Sequence, residues 1–189
     1  MKVFNAFFSV YRAVFYIAVI LYLAVALGPF AVGIRPYVVL SASMEPTIMT
    51  GSLVYIQKPD AKAIFSNLIE YEEPKAGDIV AFNQGEGKNS ITVVHRIQNI
   101  DSEGNYTMKG DNNQSDDIAT IKKSQLVGRY KWDIPYLGYF TTWLQSKKGL
   151  IIAVILAAVA FISSFIGDAE EHKTAKPDQQ NDEPKASAG

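Results

Sequence analysis

Two long runs without charged residues, one near each end of the chain, constrain the fold most strongly. Residues 13–34 and 149–167 contain 22 and 19 uncharged residues, each bounded by charged side chains. As helices they measure about 33 and 28 Å, enough to cross the hydrocarbon core of a bilayer. The sequence therefore predicts two transmembrane helices, which separate a short N-terminus (1–12), a middle region (36–148) and a polar tail (168–189) expected to be disordered.

The first apolar run also has features of a cleaved secretory signal. Lys2 and Arg12 form a basic start, and Ala24-Val25-Ala26 resembles a cleavage site. The run continues past Ala26, however, whereas signal peptides usually carry 7–15 apolar residues. A retained helix is therefore favoured, with the basic N-terminus in the cytoplasm and the middle region on the extracytoplasmic face of the cell membrane.

The middle region has the pattern of a mostly β domain. Runs rich in β-branched and aromatic residues are separated by turn-forming residues. The predicted strands are 37–41, 53–56, 78–82, 91–100, 106–109 and 126–132. Residues 61–71 could form a short helix. The segment 132–143 is rich in aromatic residues, which predict a belt at the membrane surface; for Trp132, the last strand of the β core is the alternative.

Composition excludes several classes of function. The net charge is −1 without a block of basic residues, so no nucleic acid is expected as a partner. The chain has no cysteine, which excludes disulfides and thiolate metal sites. No cofactor and no metal are expected.

Ser43 and His95 are the first candidates for chemistry. Ser43 follows the predicted strand 37–41, and Pro46 prevents that strand from continuing. A serine is a weak nucleophile and needs a base, which His95 can supply because the other histidine, His172, lies in the polar tail. Taken singly, a structural serine and a core histidine remain the alternatives.

A polar turn at 109–117 offers carboxylates that could orient the imidazole. A β-turn capped by its own side chains and a calcium loop are alternative interpretations of this segment. Strand alternation places His95 on one face of its strand with Val93 and Ile97, and leaves Arg96 on the other face, toward water.

Taken in order, these segments resemble the type I signal peptidases, in the branch found in the endoplasmic reticulum and in archaea. The similar segments are 41–47 (nucleophile box), 77–82 (the next strand), 94–97 (base-bearing segment), and 109–113 with 116–117 (acidic box). The resemblance implies a β catalytic domain of the signal-peptidase type, flanked by two transmembrane helices.

The resemblance also implies roles for individual residues. Ser43 would attack the scissile carbonyl, His95 would accept its proton and Asp117 would orient the imidazole. The Ser43 backbone N–H and the Ser41 side chain would form the oxyanion hole. Asp111 and Asp116 would be supporting members of the acidic box.

The substrate implied is an N-terminal signal peptide, added as a strand beside 37–42 and 91–95 and cleaved after small residues in an A-x-A pattern. Substrate-binding candidates are Val39, Leu40, Ala42, Met44, Val93 and Val94. The partners would be signal peptides of preproteins, the lipid bilayer and the export translocon. A pro-protein or prepilin processor on the same scaffold, and a noncatalytic assembly or docking factor, are the alternatives.

Overall fold

The computed structural model describes residues 2–59, 64–65, 69–85, 87 and 90–174. The described residues fall into two compact units, one within 2–20 and 151–174, the other within 21–150. The tail beyond Thr174 lies outside the described residues, as do 61–63 and 66–68 of the predicted helix 61–71. Ile64 and Phe65 are in a turn.

The first unit is built from parts of two apolar helices, α1 (Lys2–Leu27) and α3 (Lys147–Thr174). Within it, the Tyr11 hydroxyl donates to the Leu156 carbonyl over 3.0 Å. By length and composition, Ala6–Val32 and Lys147–Ser164 are long and apolar enough to cross a membrane.

The helix boundaries differ from the prediction. α1 starts at Lys2 rather than at residue 13, and after Leu27 the chain forms a 3₁₀ helix (Gly28–Val32). Ile34, predicted at the end of a helix, is a buried strand residue, because Gly33 takes a left-handed conformation that ends the helical geometry. α3 extends to Thr174, since alanine and glutamate in residues 168–174 favour helix over disorder.

The second unit contains an antiparallel sheet, which confirms the predicted mostly β fold. Within the described residues the sheet has six strands in the order β1-β2-β6-β3-β4-β5. They are β1 (Ile34–Val38), β2 (Leu53–Gln57), β3 (Ile79–Gln84), β4 (Ile91–Ile100), β5 (Tyr106–Lys109) and β6 (Leu126–Ile134). Pro36 is tolerated in β1 because an edge strand leaves one side of its ladder unpaired.

The core lies on both faces of β3. Ile79 and Ala81 pack into one apolar cluster, and Val80 and Phe82 into the other. The first cluster also contains Met44 and Ile48, which come from the turn after β1. Burying two such side chains stabilises this turn by about 1.5–3 kcal/mol each relative to exposure.

The aromatic segment 132–143, predicted as a belt at the membrane surface, includes a short helix, α2 (Leu137–Gln145). Trp132 lies in β6 and stacks on Tyr55 with ring centroids 5.0 Å apart, as the closing-strand interpretation predicted. Leu137 packs against the cluster that contains Tyr55, and this contact fixes the start of α2. Four further aromatic residues are exposed: Tyr136, Tyr139, Phe140 and Trp143. Their location at a membrane surface stays a prediction.

Candidate active site

Ser43 lies in a turn and not at a strand end. β1 ends at Val38 instead of continuing to Ser41. Its partner β2 begins at Leu53. Beyond Val38, therefore, only Val39 is still bonded to the segment before β2, through backbone hydrogen bonds with Ser52 and Gly51. Beyond Val39 the backbone is released to form the turn that carries Ser43.

The serine turn is closed by its own hydrogen bonds. The Glu45 N–H donates to the Ala42 carbonyl over 3.1 Å, and the Ile48 N–H donates to the Met44 carbonyl over 2.9 Å. The Glu45 carboxylate accepts from both the N–H and the hydroxyl of Thr50. Together with the two buried side chains at 44 and 48, these bonds hold the Ser43 backbone in one conformation.

The hydroxyls of Ser41 and Ser43 lie 3.2 Å apart, within hydrogen-bond distance. Ser41 is exposed, and Ser43 is half-buried. The pair predicted to supply a nucleophile and an oxyanion donor is therefore adjacent in space.

His95 is buried in β4 and is held on two sides. Its ring packs edge-on against Phe82, with centroids 6.0 Å apart. Its Nδ1–H donates to the Asp117 carboxylate over 2.6 Å. Because a carboxylate can only accept, this bond places the proton on Nδ1 and leaves Nε2 as the acceptor nitrogen of the neutral ring.

The backbone fixes Asp117 as the acid that reaches the imidazole. Its N–H donates to the Met108 carbonyl of β5 over 2.8 Å, so the residue continues the edge of the sheet. Asp116 is exposed, and Asp117 is half-buried. Of the three carboxylates considered from the sequence, Asp117 is the one in contact with His95.

Asp111 forms a second ion pair with Arg96. The guanidinium donates from Nε and Nη2 to the two carboxylate oxygens over 2.9 and 2.6 Å, and from Nη1 to the Gly77 carbonyl. Hydrogen bonding to Arg96, and further to the Thr47 hydroxyl, lowers the pKa of Asp111. Arg96 was predicted to face water, but this bidentate pair holds it against the protein.

The loop of residues 110–117 joins the serine turn to the histidine strand. The Asn112 N–H donates to the Ser43 carbonyl over 2.8 Å, and the Asn112 side chain donates to the Ala42 carbonyl. A Cβ at Gly110 would lie 2.5 Å from the Ser43 carbonyl oxygen, so only glycine allows this approach. One loop thus holds Ser43 at one end and His95 at the other.

A groove of about 310 Å³ lies beside the two serines. Five of the six predicted substrate-binding residues line it, namely Val39, Leu40, Met44, Val93 and Val94. Ala42 is not among the described lining residues; its carbonyl is used instead by Asn112. Four further lining residues, Tyr37, Val38, Ile91 and Thr92, belong to the segments predicted to flank the substrate, although they were not singled out as substrate-binding residues. Val54 of β2 lines the groove too and lies outside both predicted segments.

Both walls of this groove have a free strand edge in the described part of the chain. β5 pairs with β4 only from Arg96 onward, which leaves 91–95 paired on the β3 side alone. β1 pairs with β2 alone. Unpaired N–H and C=O groups along such edges can bind an extended peptide.

No group of three or more His, Asp or Glu side chains that could hold a metal ion occurs within the residues the structure describes. Asn112–Ala119 and Gln84 line a second, open polar depression of about 620 Å³, which includes Asp116 and Asp117. This depression adjoins the acid side of the candidate site.

Known proteins of similar sequence show the family to which the chain belongs. Residues 11–100 match the family model described as signal peptidase, peptidase S26. The chain is 35% identical over 143 residues to the signal peptidase complex catalytic subunit SEC11 of Debaryomyces hansenii, an alignment that covers 69% of this chain and 77% of that protein. The chain belongs to the S26 signal peptidase family, as the ordered motifs predicted.

Other relatives carry the same description. The catalytic subunit SEC11 of Lachancea thermotolerans is 30% identical over 139 residues, which cover 65% of this chain and 75% of the relative. The catalytic subunit sec11 of Schizosaccharomyces pombe is 34% identical over 125 residues, 57% of this chain. The chain spans 65% of the length of the Schizosaccharomyces pombe protein.

Proposed function

We propose that this protein is a membrane-bound serine endopeptidase that cleaves signal peptides from exported preproteins. The observation that carries the proposal is the 110–117 loop, which binds the Ser43 carbonyl through Asn112 and the His95 imidazole through Asp117. A loop that fixes both a serine and a carboxylate-bound histidine supplies the parts of a Ser-His-Asp mechanism.

In the proposed mechanism, His95 acts through Nε2 because Nδ1 is occupied by Asp117. Nε2 takes the proton from the Ser43 hydroxyl as its oxygen attacks the scissile carbonyl, and later gives that proton to the leaving amine. The Ser43 N–H and the Ser41 hydroxyl donate to the oxyanion. Nε2 then takes a proton from a water molecule whose oxygen attacks the acyl carbon. The ester bond to Ser43 breaks, and Nε2 returns the proton to the Ser43 oxygen.

The substrate is proposed to bind as an added strand in the groove between residues 37–41 and 91–94. Its backbone would pair with the free strand edges, and alternate side chains would point into the apolar space. Met44 is fully buried beneath this groove, and its tight packing favours small residues at the inward positions. This packing supports the proposed preference for A-x-A sites.

The two apolar helices are proposed to anchor the chain in the cell membrane, with the N-terminus inside and the β domain on the extracytoplasmic face. The proposed partners are signal peptides, the lipid bilayer and the export translocon. A site at the membrane surface suits a cleavage point that directly follows an apolar segment.

The decisive experiment compares Ser43→Ala with Ser102→Ala, an exposed serine far along the chain. Purified proteins in detergent are incubated with a preprotein carrying an Ala-x-Ala site, with the same preprotein carrying leucine before the cut, and with a pro-protein lacking this pattern. Ser43→Ala should reduce cleavage on the order of 10⁶-fold, as loss of the nucleophile does in subtilisin. Cleavage by a folded Ser43→Ala protein would reject the proposal, and equal cleavage of all three substrates would reject its specificity.

A further inference from the structure

One residue of the 110–117 loop, Asn112, holds both peptide groups that flank Ser43. Its side-chain Nδ2–H donates to the Ala42 carbonyl over 3.1 Å, and its main-chain N–H donates to the Ser43 carbonyl over 2.8 Å. The first bond holds the peptide group between residues 42 and 43, and the second holds the next one. Because each peptide group is planar, holding both also restrains the two backbone dihedrals of Ser43, which lie between them.

Both lone pairs of the Ala42 carbonyl oxygen are used. Besides the Asn112 side chain, this oxygen accepts from the Glu45 N–H over 3.1 Å. Glu45 makes its bond within the serine turn, whereas Asn112 comes from a loop 70 residues further along the chain. The bond from Asn112 therefore ties the direction of this carbonyl to the loop that also binds His95.

The same peptide group carries the Ser43 N–H, one of the two donors proposed for the oxyanion. The C=O and the N–H of a trans peptide group point in opposite directions, so the direction of the Ala42 carbonyl sets that of the Ser43 N–H. Within the described part of the chain, the Ser43 N–H has no hydrogen-bond acceptor. This donor is therefore directed by Asn112 and left free to bind an oxyanion.

Hydrogen bonding to the carbonyl also strengthens the donor. An amide whose oxygen accepts hydrogen bonds is polarised, and its N–H then donates more strongly. The oxyanion forms only as the serine oxygen attacks, so a better N–H stabilises the transition state more than the bound substrate. Loss of the Asn112 side-chain bond should therefore lower kcat and leave KM almost unchanged.

We propose that the Asn112 side chain is a positioning residue for the oxyanion hole, which directs and polarises the Ser43 N–H from the opposite side of its peptide group. This inference rests on the proposed serine mechanism. In this role Asn112 does not touch the substrate, and it acts on the reaction through the peptide group between Ala42 and Ser43.

The test compares two replacements of Asn112. Asn112→Ala deletes the side-chain donor, and Asn112→Asp keeps the size of the side chain but places a carboxylate against the Ala42 carbonyl. Both variants keep the main-chain N–H that binds the Ser43 carbonyl. Asn113→Asp introduces the same charge at the next residue and is the matched control. For the full-length proteins in detergent, kcat and KM are measured on the Ala-x-Ala preprotein beside melting temperatures.

The expected effect is on kcat. Displacing a reacting group by about 1 Å costs on the order of 10²-fold in rate. We expect kcat to fall on the order of 10-fold in Asn112→Ala and on the order of 10²-fold in Asn112→Asp, with KM within about twofold of the parental value. Asn113→Asp should stay within about twofold of the parent in both constants, because its charge lies in a solvent-screened loop.

A transition-state analogue separates positioning from a general loss of structure. With a peptide aldehyde that ends in Ala-x-Ala, the Ser43 oxygen bonds to the aldehyde carbon, the serine proton passes to His95, and the aldehyde oxygen becomes an oxyanion. The peptide alcohol of the same sequence binds without this bond. In the Asn112 variants the inhibition constant of the aldehyde should rise in proportion to the loss in kcat/KM, and that of the alcohol should stay within about twofold. Equal weakening of both inhibitors would show that Asn112 supports the groove, and the inference would be wrong.

The pH profile of Asn112→Ala excludes an effect through His95. Asn112 and Asp117 belong to one loop, so a disturbed loop would shift the pH at which kcat/KM falls, whereas a misplaced Ser43 N–H lowers the rate by one factor from about pH 6 to 8. A shifted profile, or a parental kcat in folded Asn112→Ala, would overturn the inference. Ser43→Ala reports the proposed function separately: cleavage by that variant rejects the serine mechanism itself.

Discussion

Two neighbouring residues of β4 each pair with a carboxylate of the same loop, and the two pairs differ in what they can do. His95 Nδ1 and Asp117 Oδ2 are 2.6 Å apart, and Arg96 Nη2 and Asp111 Oδ2 are also 2.6 Å apart. Both carboxylates are largely shielded from solvent, with side chains 18% and 15% exposed. The distances and the burial of the carboxylates therefore do not separate the two pairs.

The difference lies in the cation. A guanidinium stays charged at every pH at which the protein is folded, and Asp111 raises the pKa of Arg96 further while its own pKa is lowered. An imidazole gains and loses its proton near neutral pH. The Arg96–Asp111 pair is thus a permanent link between β4 and the loop, whereas the His95–Asp117 pair is suited to proton transfer. One strand supplies both because adjacent residues point to opposite faces.

Replacing His95 by lysine makes the first pair resemble the second, and among changes to these two pairs we expect the largest effect on activity from this one. A lysine has an ordinary pKa of about 10.4 and stays protonated beside Asp117, so it cannot accept the serine proton. His95→Lys should show little or no cleavage, measured as initial rates on the Ala-x-Ala preprotein. His95→Gln, which cannot act as a base, is the matched control. Near-parental activity in His95→Lys would show that this pocket supports a lysine as general base, and the role of the imidazole would be wrong.

Replacing Asp117 by asparagine keeps the size of the side chain but removes the charge that stabilises the imidazolium. In the Ser-His-Asp template this change costs on the order of 10⁴ in kcat, because the ring adopts the wrong tautomer. We expect Asp117→Asn to lose 10²- to 10⁴-fold in initial rate, a range on the order of that template effect, with a melting temperature close to that of the parent. If a folded Asp117→Asn protein kept most of its activity, the His95–Asp117 pair would have a structural role like that of the Arg96–Asp111 pair.

Replacing Asp111 by asparagine should mainly reduce stability. Removing a charged hydrogen-bond partner from a partly buried pair costs about 1–3 kcal/mol, and turnover should fall far less than in Asp117→Asn. Thermal melting beside initial rates measures the two effects. A rate loss as large as that of Asp117→Asn, without a change in melting temperature, would contradict the structural role.

The same pair has a predictable pH dependence. Because the pKa of Asp111 is lowered by Arg96 in the folded protein, its stabilisation is fully present above the unfolded pKa, near about 3.9, and is lost as pH falls through the folded value. The melting temperatures of parent and Asp111→Asn should differ by a constant amount from pH 5 to 8 and converge below about pH 4. A difference that instead varies between pH 6 and 8 would contradict this assignment to Asp111.

The strands could be predicted from sequence because their signal is local. β4 and β5 begin and end at the predicted residues, because turn-forming residues flank their apolar runs and stop the strands there. The insertion of β6 between β2 and β3 could not be predicted, because it depends on contacts between distant segments. The predicted end of β1 was wrong for the same reason, because β1 ends where its partner strand β2 begins.

For the candidate site, residue types and motif order indicated the candidates but not their contacts. Asp117 was chosen over Asp116 from a family resemblance, and the contact with His95 depends on a backbone bond to Met108 that no sequence pattern shows. The Arg96 side chain was predicted to face solvent, because strand alternation shows on which face of the strand a side chain lies but not which other segment covers that face. Its partner, Asp111, comes from a loop 15 residues further along the chain.

Asp116 provides the smallest effect and the strictest control for the comparison. It lies in the same loop, next to Asp117. Its side chain is exposed and lines the open depression, and it does not contact His95. Exposed substitutions usually change stability by less than about 0.5 kcal/mol. We therefore expect Asp116→Asn to keep the parental melting temperature and to change the initial cleavage rate by about twofold or less, since a charge in solvent is screened within about 10 Å. If Asp116→Asn stops cleavage in a folded protein while Asp117→Asn keeps most of it, the catalytic acid has been assigned to the wrong member of the pair.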